Sequence, residues 1–121
     1  MNTQYNRRLG KWGEDLASQF LIKQGYKLIG RNFVESTYGE IDLICQKDDE
    51  IIFVEVKTRT SRAFGDGEEA VSYYKQQKIL KAIEGYLQDN ETELSPRFDV
   101  IVVELFSLTP KFIHYENVEI G

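Results

Sequence analysis

The hydrophobic and polar positions along this chain follow two different periods, which predict helices and strands in a definite order. Apolar residues at helical spacing predict an amphipathic helix over 7–24, with Gly25 as its stop, and a second helix over 68–88. Runs rich in Ile, Val and Phe predict strands over 26–34, 38–46, 50–59, 98–106 and 112–115. This order indicates an α/β fold, with a mixed central sheet flanked by helices.

Each predicted helix carries an apolar stripe that we expect to lie against the sheet. The stripe of the first helix consists of Leu9, Trp12, Leu16, Ala17, Phe20 and Leu21. The ridge of the second helix includes Val71, Tyr74, Ile79, Ala82, Ile83 and Tyr86. Both helices are therefore predicted to belong to one core.

The second and third predicted strands are joined by a polar turn at 47–50, which indicates an antiparallel hairpin. If the hairpin is symmetric about this turn, Asp42 lies opposite Glu55 and Glu40 lies opposite Lys57. Side chains alternate between the faces of a strand, so these four residues then share one face. Facing Cβ atoms are only ~5 Å apart, and two bare carboxylates at that distance repel each other. A divalent cation would turn this repulsion into binding.

The opposite face of the hairpin is predicted to be wholly apolar and buried. It pairs Ile41 with Val56, Leu43 with Val54 and Cys45 with Ile52. Cys45 is the single cysteine, and we expect a buried free thiol there. For the charged face, ordinary cross-strand ion pairs on a solvated sheet are the alternative. An acidic residue early in one strand combined with Glu-x-Lys late in the next favours metal-assisted phosphodiester cleavage.

The spacing of Asp42, twelve further residues and then Glu55-Val56-Lys57 resembles the PD-(D/E)xK nuclease superfamily, which includes restriction endonucleases and archaeal Holliday-junction resolvases. The chain is more closely similar to the YraN family of uncharacterised bacterial endonuclease-like proteins. The strings that carry this resemblance are Gly13-Glu14-Asp15-Leu16-Ala17, Gly25-Tyr26, Arg31-Asn32-Phe33, Gly39-Glu40-Ile41-Asp42-Leu43-Ile44, Phe53-Val54-Glu55-Val56-Lys57-Thr58-Arg59 and Arg97-Phe98-Asp99-Val100. The resemblance implies a restriction-endonuclease-like core with a Mg²⁺-dependent nuclease centre, in which Mn²⁺ is the other candidate metal.

In such a centre we expect Asp42, Glu55 and the carbonyl of Val56 to bind the metal together with waters, because Mg²⁺ prefers hard oxygen ligands. Glu40 can complete or extend the site. Glu14 lies near the edge of the stripe of the first helix, and the resemblance to junction resolvases, which carry a helix-borne Glu, favours its pointing at the carboxylates. The alternative for Glu14 is an exposed acid favoured by the helix dipole.

Lys57 follows Glu55 by two residues and shares its predicted face. We expect it to orient or help deprotonate the attacking water and to stabilise charge that builds on the phosphate. The alternative role for Lys57 is to neutralise Glu40 across the strands. Both roles can hold in different states of the protein.

The net charge of −5 and the pI near 4.9 oppose nucleic-acid binding, because nucleic-acid binders usually carry a basic footprint. Cations nevertheless gather near the predicted site, and they form a candidate nucleic-acid-binding rim: Arg7, Arg8, Lys11, Arg59, Arg62, Lys75 and Lys78. Arg59 and Lys75 are the best candidates for phosphate contacts. The alternative for each cation is an ordinary solvated charge.

At 121 residues the chain fits one domain, over 1–121. Its amino terminus lacks the apolar stretch of a secretory signal and no segment is long enough to cross a bilayer, so a cytoplasmic protein is expected. Two classes of function remain. One is a Mg²⁺-dependent DNA endonuclease, selective for branched or non-duplex DNA. The other is a nucleic-acid-binding module of the same fold that is non-catalytic or depends on an unidentified protein partner.

The carboxyl-terminal strands raise two further expectations. Phe106, Leu108, Phe112 and Ile113 offer an apolar contact surface for a homodimer, which the resemblance to dimeric junction resolvases favours. The alternative is that these residues complete the core. His114, the single histidine, is expected to be a terminal-strand or surface residue rather than a general base.

Overall fold

A computed structural model describes residues 3–35, 39–61 and 73–120 of the chain. The elements are α1 (Thr3–Lys23), β1 (Lys27–Glu35), β2 (Gly39–Lys47), β3 (Glu50–Arg59), α2 (Tyr73–Asp89), β4 (Ser95–Glu104) and β5 (Lys111–Tyr115). Each agrees with a predicted element to within a few residues. The predicted start of the second helix at 68–72, and most of the predicted loop before it, lie outside the described residues.

The five strands form one sheet in the order β1-β2-β3-β4-β5. Neighbouring strands are antiparallel except β3 and β4, which are parallel. A parallel pair needs a long crossover, and α2 lies within the connection between these two strands. The predicted fold class, a mixed central sheet flanked by helices, is confirmed, and the elements follow the order that the hydrophobic pattern predicts.

A hydrophobic layer covers each face of the sheet. On one face Ala17 and Leu21 of α1 belong to a buried cluster with strand residues such as Val54 and Ile101. On the other face Ile79 and Ala82 of α2 belong to a cluster centred on the strands. The single thiol, Cys45, is buried on the α1 side, and burial raises its pKa to about 12. The expectation of a buried free thiol is confirmed.

Two aromatic residues of the predicted stripes are not part of the core. Trp12 is 52% exposed and Tyr74 is 70% exposed. Trp12 lies in the half of α1 where none of residues 4–12 is buried, and it is the adjacent Gly13 that packs against Thr58 of β3. Tyr74 lies in the first turn of α2, before the buried positions that begin at Ile79. Helical spacing identified both helices correctly. It overestimated the part of each helix that is buried against the sheet.

The predicted hairpin register holds only near the turn. Pairing is as predicted from Lys47↔Glu50 to Leu43↔Val54, and the recorded pairs end there. Ile41 was predicted on the face of Leu43, but it lies in the cluster on the opposite, α2 side. The prediction that Asp42 and Glu40 directly face Glu55 and Lys57 in the ladder is therefore wrong.

In the neighbouring strand β1, the alternation of side chains between the two faces of the sheet also changes where β2 leaves the predicted register. Asn32 of β1 has a φ of 50°, in the left-handed region that Asn tolerates better than most residues. Before it, Arg31 contacts α1 through Asp15, whereas Phe33 after it packs edge-on against Tyr86 of α2. Phe33 pairs with Ile41 across the two strands, so both side chains move to the α2 face together.

The carboxyl-terminal strand completes the core rather than presenting a wholly apolar surface. Phe112 stacks on Phe20 of α1 with ring centroids 4.6 Å apart, while Leu108 is fully exposed. His114 lies in β5 as predicted but is not a surface residue, because its Nε2 lies 2.7 Å from the buried Asp99 carboxylate. Neither described helix is long and apolar enough to cross a membrane.

Candidate functional site

Asp42 lies where the backbone ladder between β2 and β3 ends. One residue before the last recorded pair, Leu43↔Val54, its Oδ2 accepts a hydrogen bond of 2.8 Å from the backbone N–H of Val56. The side chain thus satisfies a backbone donor that a regular ladder would satisfy with a carbonyl. This contact explains why β2 leaves the predicted register here, and it fixes the carboxylate between the two strands.

Two further carboxylates gather beside Asp42. Ligand oxygens of Glu14, Glu40 and Asp42 all lie within 4.8 Å of one another, a spacing at which they could hold a metal ion. Glu14 reaches this position because α1 approaches β3 closely at Gly13, where a Cβ would clash with the side chain of Thr58. The expectation that Glu14 points toward the carboxylates of the sheet is confirmed.

The sequence reasoning missed two β1 residues that contact this cluster. With its amide nitrogen turned toward the carboxylates, Asn32 donates to Glu40 Oε1 at 2.8 Å and to Glu14 Oε1 at 3.1 Å. The Arg31 guanidinium lies 3.6 Å from Glu14 and 2.7 Å from Asp15. Both residues belong to the string Arg31-Asn32-Phe33, which carries part of the family resemblance. The available signal was the pair of polar residues inside an otherwise apolar strand.

Glu55 approaches Asp42 from β3 and is 7% exposed. Its Oε2 lies 3.0 Å from the ammonium of Lys75 at the start of α2. That contact lacks hydrogen-bond geometry, so among the described residues this buried oxygen has an ion-pair partner but no hydrogen bond. Glu55, Asp42, Glu14, Val56 and Lys75 line one open groove of about 400 Å³, which we call the acidic groove.

The electrostatics of the acidic groove disfavour ionised carboxylates. Burial, together with the adjacent Glu55 carboxyl, raises the pKa of Asp42 to about 9. Burial also raises the pKa of Glu14, against the opposing effect of the Arg31 charge. Carboxyl groups whose pKa is raised in this way are stabilised in the charged form by a cation. The acidic groove therefore has the electrostatics of a cation site.

Lys57 lies close enough to the acidic groove to respond to its charges. Burial lowers the pKa of the Lys57 ammonium, the Lys75 charge lowers it further, and Glu55 and Asp42 oppose the shift. Among the described residues Lys57 makes no ion pair with Glu40. The charges of Asp42 and Glu55 therefore act on Lys57, whereas the predicted pairing of Lys57 with Glu40 is not seen.

The predicted cationic rim divides into groups. Arg7 and Lys11 line a second groove with Glu14, Asn32 and Glu40, and Arg8 lies further round α1. Lys75 lines the acidic groove, and Lys78 lies over the ring of Tyr74.

Arg59, predicted as a leading phosphate contact, is largely buried and lies 3.5 Å from Glu104. Arg62 lies outside the described residues. The nucleic-acid role of each rim cation remains a prediction.

Comparisons with known proteins identify the family. The model of the family described as "Uncharacterised protein family UPF0102" matches residues 13–103. A UPF0102 protein of Syntrophomonas wolfei is 54% identical over 115 residues, covering 93% of this chain and 97% of that protein. One of Alkaliphilus oremlandii is 44% identical over the same shares.

Among solved structures, that of SfsA from Pyrococcus furiosus in complex with Ca²⁺ is similar with a TM-score of 0.40 and 15% identity. The similarity covers 92% of this chain and 63% of that one. The family match and the identities of the relatives are far stronger than this structural likeness, and they agree with the motifs read from the sequence. The chain therefore belongs to the protein family UPF0102, the YraN family that its motifs predicted.

Proposed function

We propose that this protein is a cytoplasmic, metal-dependent DNA endonuclease that hydrolyses phosphodiester bonds, with Mg²⁺ or Mn²⁺ as its cofactor. The observation that carries the proposal is the environment of Asp42. A half-buried carboxyl group with Glu55 and Glu14 as neighbours and a raised pKa is unfavourable as an anion in the metal-free protein. Such an arrangement is stable with all groups ionised when a divalent cation lies among them.

The donor set fits Mg²⁺ or Mn²⁺. All side-chain donors are carboxylate oxygens, which these hard cations prefer, and the groove is open enough to admit waters and a phosphate. The buried Oε2 of Glu55 without a hydrogen bond is a donor atom that still lacks its full complement of partners. Asp42, Glu55 and Glu14 would hold the metal with the carbonyl of Val56, and Glu40 would extend the site.

The chain's own residues would divide the remaining work. A bound divalent cation would lower the pKa of its water and offset phosphate charge. Lys57, whose pKa is lowered, would accept a proton from the attacking water as the new P–O bond forms. The bond to the leaving oxygen breaks, and that oxygen takes a proton from solvent. Lys75 would then face the phosphate charge in place of Glu55.

A second candidate function is a nucleic-acid-binding module of the same fold that acts only with a protein partner. The net charge of −5 favours it, because long-range attraction to DNA is weak for an acidic protein. Four carboxyl groups of the site itself contribute to this charge, and a bound cation would offset part of it. For this reason we place the enzyme first.

The test combines calorimetry with cleavage. Wild-type protein should bind Mg²⁺ or Mn²⁺ and cut at least one member of a panel of duplex, flap, single-stranded and four-way DNA. Asp42→Asn and Glu55→Gln should abolish both binding and cutting while the fold persists. Glu119→Gln, which removes an exposed acid near the carboxyl terminus, is the matched control. Metal binding without cutting of any substrate would favour the second candidate, and no metal binding would overturn the proposed metal-dependent endonuclease.

Assembly into a homodimer is a separate part of the proposal. One metal centre cuts one strand, and two copies related by symmetry would cut two. Leu108 is exposed in the turn between β4 and β5 and can contribute to such a contact. Light scattering at micromolar concentration, with and without DNA, tests it. If the protein is a monomer under every condition, the homodimer is wrong and the proposed enzyme would cut one strand only.

A further inference from the structure

The amino-terminal half of α1 has a composition that the fold does not explain. None of residues 4–12 is buried, so this half of the helix contributes little to the described core. It nevertheless presents Tyr5 at 54% and Trp12 at 52% exposure. Large exposed aromatic side chains in one patch usually mark a binding surface. We call residues 5–12 of α1 the aromatic arm.

The aromatic arm forms a groove with one kind of lining. Tyr5, Arg8, Leu9 and Trp12 follow each other at the spacing of one helix face and line a groove of about 460 Å³. That volume lies within the range of ligand sites on proteins, about 300–1,000 Å³. The two rings and the aliphatic Leu9 offer apolar surface, and the Arg8 guanidinium adds a planar cation.

The charge of the arm is opposite to that of the whole protein. Residues 3–13 contain Arg7, Arg8 and Lys11 and no acidic residue, whereas the chain carries a net charge of −5. A basic, aromatic segment in an acidic protein is complementary to a ligand that is both anionic and aromatic. Nucleic acid with unpaired bases has this chemistry, since its phosphates pair with cations and its bases stack on rings.

The aromatic arm is also continuous with the acidic groove. Leu9 lines both the groove of the aromatic arm and the acidic groove. Arg7 and Lys11 line a neighbouring groove together with Glu14 and Glu40. If the bases of a strand lie on the aromatic arm, the sugar-phosphate backbone of that strand would therefore run toward Asp42 in the acidic groove. In a duplex the same bases are stacked and paired with each other, so their faces would not be available to the rings of the aromatic arm.

We infer that the aromatic arm is a stacking platform for unpaired nucleobases of a DNA strand, with Trp12 and Tyr5 stacking on bases and Arg8 contacting the backbone. This inference rests on the proposed function and names its substrate class, DNA with a single-stranded segment beside the bond to be cut. The platform positions substrate, and the carboxylates of the acidic groove perform the chemistry.

Trp12 provides a direct test because it is the only tryptophan of the chain. In the full-length protein with chelator, its fluorescence should respond to acrylamide as an exposed residue does. A single-stranded oligothymidylate of about 12 nucleotides should quench it with saturation. An abasic strand of equal length has the same phosphates without bases and should leave the fluorescence unchanged. Equal quenching by the abasic strand, or a shielded Trp12 in the free protein, would overturn the platform.

Variants separate stacking from general attraction. Trp12→Ala should weaken binding of a labelled single strand by about 5- to 100-fold, and Trp12→Phe should retain most of the affinity. Ile22→Ala is the matched control, because Ile22 is also 52% exposed on the same helix. Arg8→Ala should lower the slope of log affinity against log salt by about 0.7, whereas Trp12→Ala should not change it. Similar losses for Trp12→Ala and Ile22→Ala would contradict stacking.

The remaining outcomes distinguish other occupants and the proposed function itself. Trp12 is exposed, so Trp12→Ala should move the melting temperature by less than about 2 °C. If it instead changes the sedimentation of the free protein, the arm is an interface between copies and the inference is wrong. If the single strand quenches Trp12 but no DNA is ever cut, the platform stands and the nuclease falls. If cutting depends on Asp42 but not on Trp12, the nuclease stands and the platform falls.

Discussion

Two aspartates on the same sheet, the half-buried Asp42 and the fully buried Asp99, have opposite electrostatics. Asp42 lies on β2 in the acidic groove, and burial with the Glu55 carboxyl beside it raises its pKa to about 9. Asp99 lies on β4 and is 0% exposed. Burial alone would raise its pKa too, but hydrogen bonds from His114, Arg97 and the Asn117 N–H outweigh burial and lower it. The same residue type is thus destabilised as an anion in one place and stabilised in the other.

Depth does not explain the difference, because the more deeply buried Asp99 is the one whose pKa is lowered. Arg97 donates to both oxygens of Asp99 at 2.9 and 2.8 Å, His114 lies 2.7 Å away, and the Asn117 N–H lies 3.0 Å away. Asp42 receives one backbone N–H, and the neighbouring Glu55 and Glu14 carboxyl groups raise its pKa although Lys57 and Lys75 lie nearby. Asp99 has the partners of a structural ion pair, and Asp42 has the neighbours that the proposed cation site requires. Burial of a charged residue therefore does not by itself identify a functional site, whereas its partners do.

Replacement of Asp99 should have the largest effect on stability. Asp99→Asn removes the fully buried carboxylate among the three that compensate the guanidinium of Arg97, which is only 10% exposed and also lies near Glu50 and Glu116. Breaking a buried ion pair at one partner costs about 3–5 kcal/mol of the free energy of unfolding. Urea unfolding with chelator present measures it. Asp42→Asn under the same conditions should cost less than about 1 kcal/mol or be stabilising, because it removes an unfavourable carboxyl group. Equal losses at the two sites would break the comparison.

Lys57 should matter for turnover and not for stability. If it acts on the attacking water, Lys57→Ala should lower kcat by about 10²- to 10³-fold while DNA affinity changes little. Single-turnover cleavage and binding by anisotropy separate the two quantities. Lys47→Ala, at the far end of the hairpin, should leave kcat unchanged and serves as the control. Parallel losses in affinity and turnover would instead make Lys57 a phosphate anchor.

Metal should stabilise the protein through one aspartate and not the other. At a Mg²⁺ or Mn²⁺ concentration about 100 times Kd, binding to the folded state alone adds about 2.7 kcal/mol to the free energy of unfolding. Asp42→Asn should lose this increment. Asp99→Asn should keep it, although its absolute stability is lower. Urea titrations with and without metal give both increments. Loss of the increment in Asp99→Asn would mean that the two clusters are coupled through the sheet.

The sequence predicted the elements well because their signals are local. The hydrophobic period, the polar turn at 47–50 and Gly25 each depend on neighbours in the chain, and β3 was predicted at the bounds observed. It also assembled Asp42, Glu55 and Glu14 in one place. The register beyond Leu43 could not be predicted, since it depends on a side chain that takes a backbone partner and on the φ of Asn32.

The roles of Asp99 and Trp12 were missed for a different reason. Asp99 interrupts a continuous apolar run in β4, which was a signal for a buried ion pair, but its partner His114 comes from a strand fifteen residues later. Trp12 fits the helical stripe in sequence, but in the fold it is exposed while the adjacent Gly13 packs against Thr58 of β3. Both facts depend on tertiary packing and not on local pattern.

The smallest expected effect is on the pH dependence of stability. The folded-state pKa of Asp42 is raised above its ordinary value of 3.8, so between these values the folded protein holds a proton that the unfolded chain has lost. The free energy of unfolding of the metal-free protein should therefore fall as pH rises from 6 to 7, by at most about 1.4 kcal/mol from this group. Glu14, Glu40, Glu55, Lys57 and Lys75 surround Asp42, so the variant comparison is needed to isolate it.

Asp42→Asn should flatten that slope between pH 6 and 7, whereas Asp48→Asn, which removes an exposed acid from the hairpin turn, should not. For Asp99 we expect a slope of the opposite sign, in a different pH range: the free energy of unfolding should rise with pH. Its folded pKa lies below 3.8, so its contribution to stability is present at neutral pH and is lost as pH falls below about 4. Chemical unfolding of the chelated proteins at closely spaced pH values measures both slopes. A wild-type slope between pH 6 and 7 that Asp42→Asn leaves unchanged would show that Asp42 is already ionised without metal, and the contrast with Asp99 would disappear.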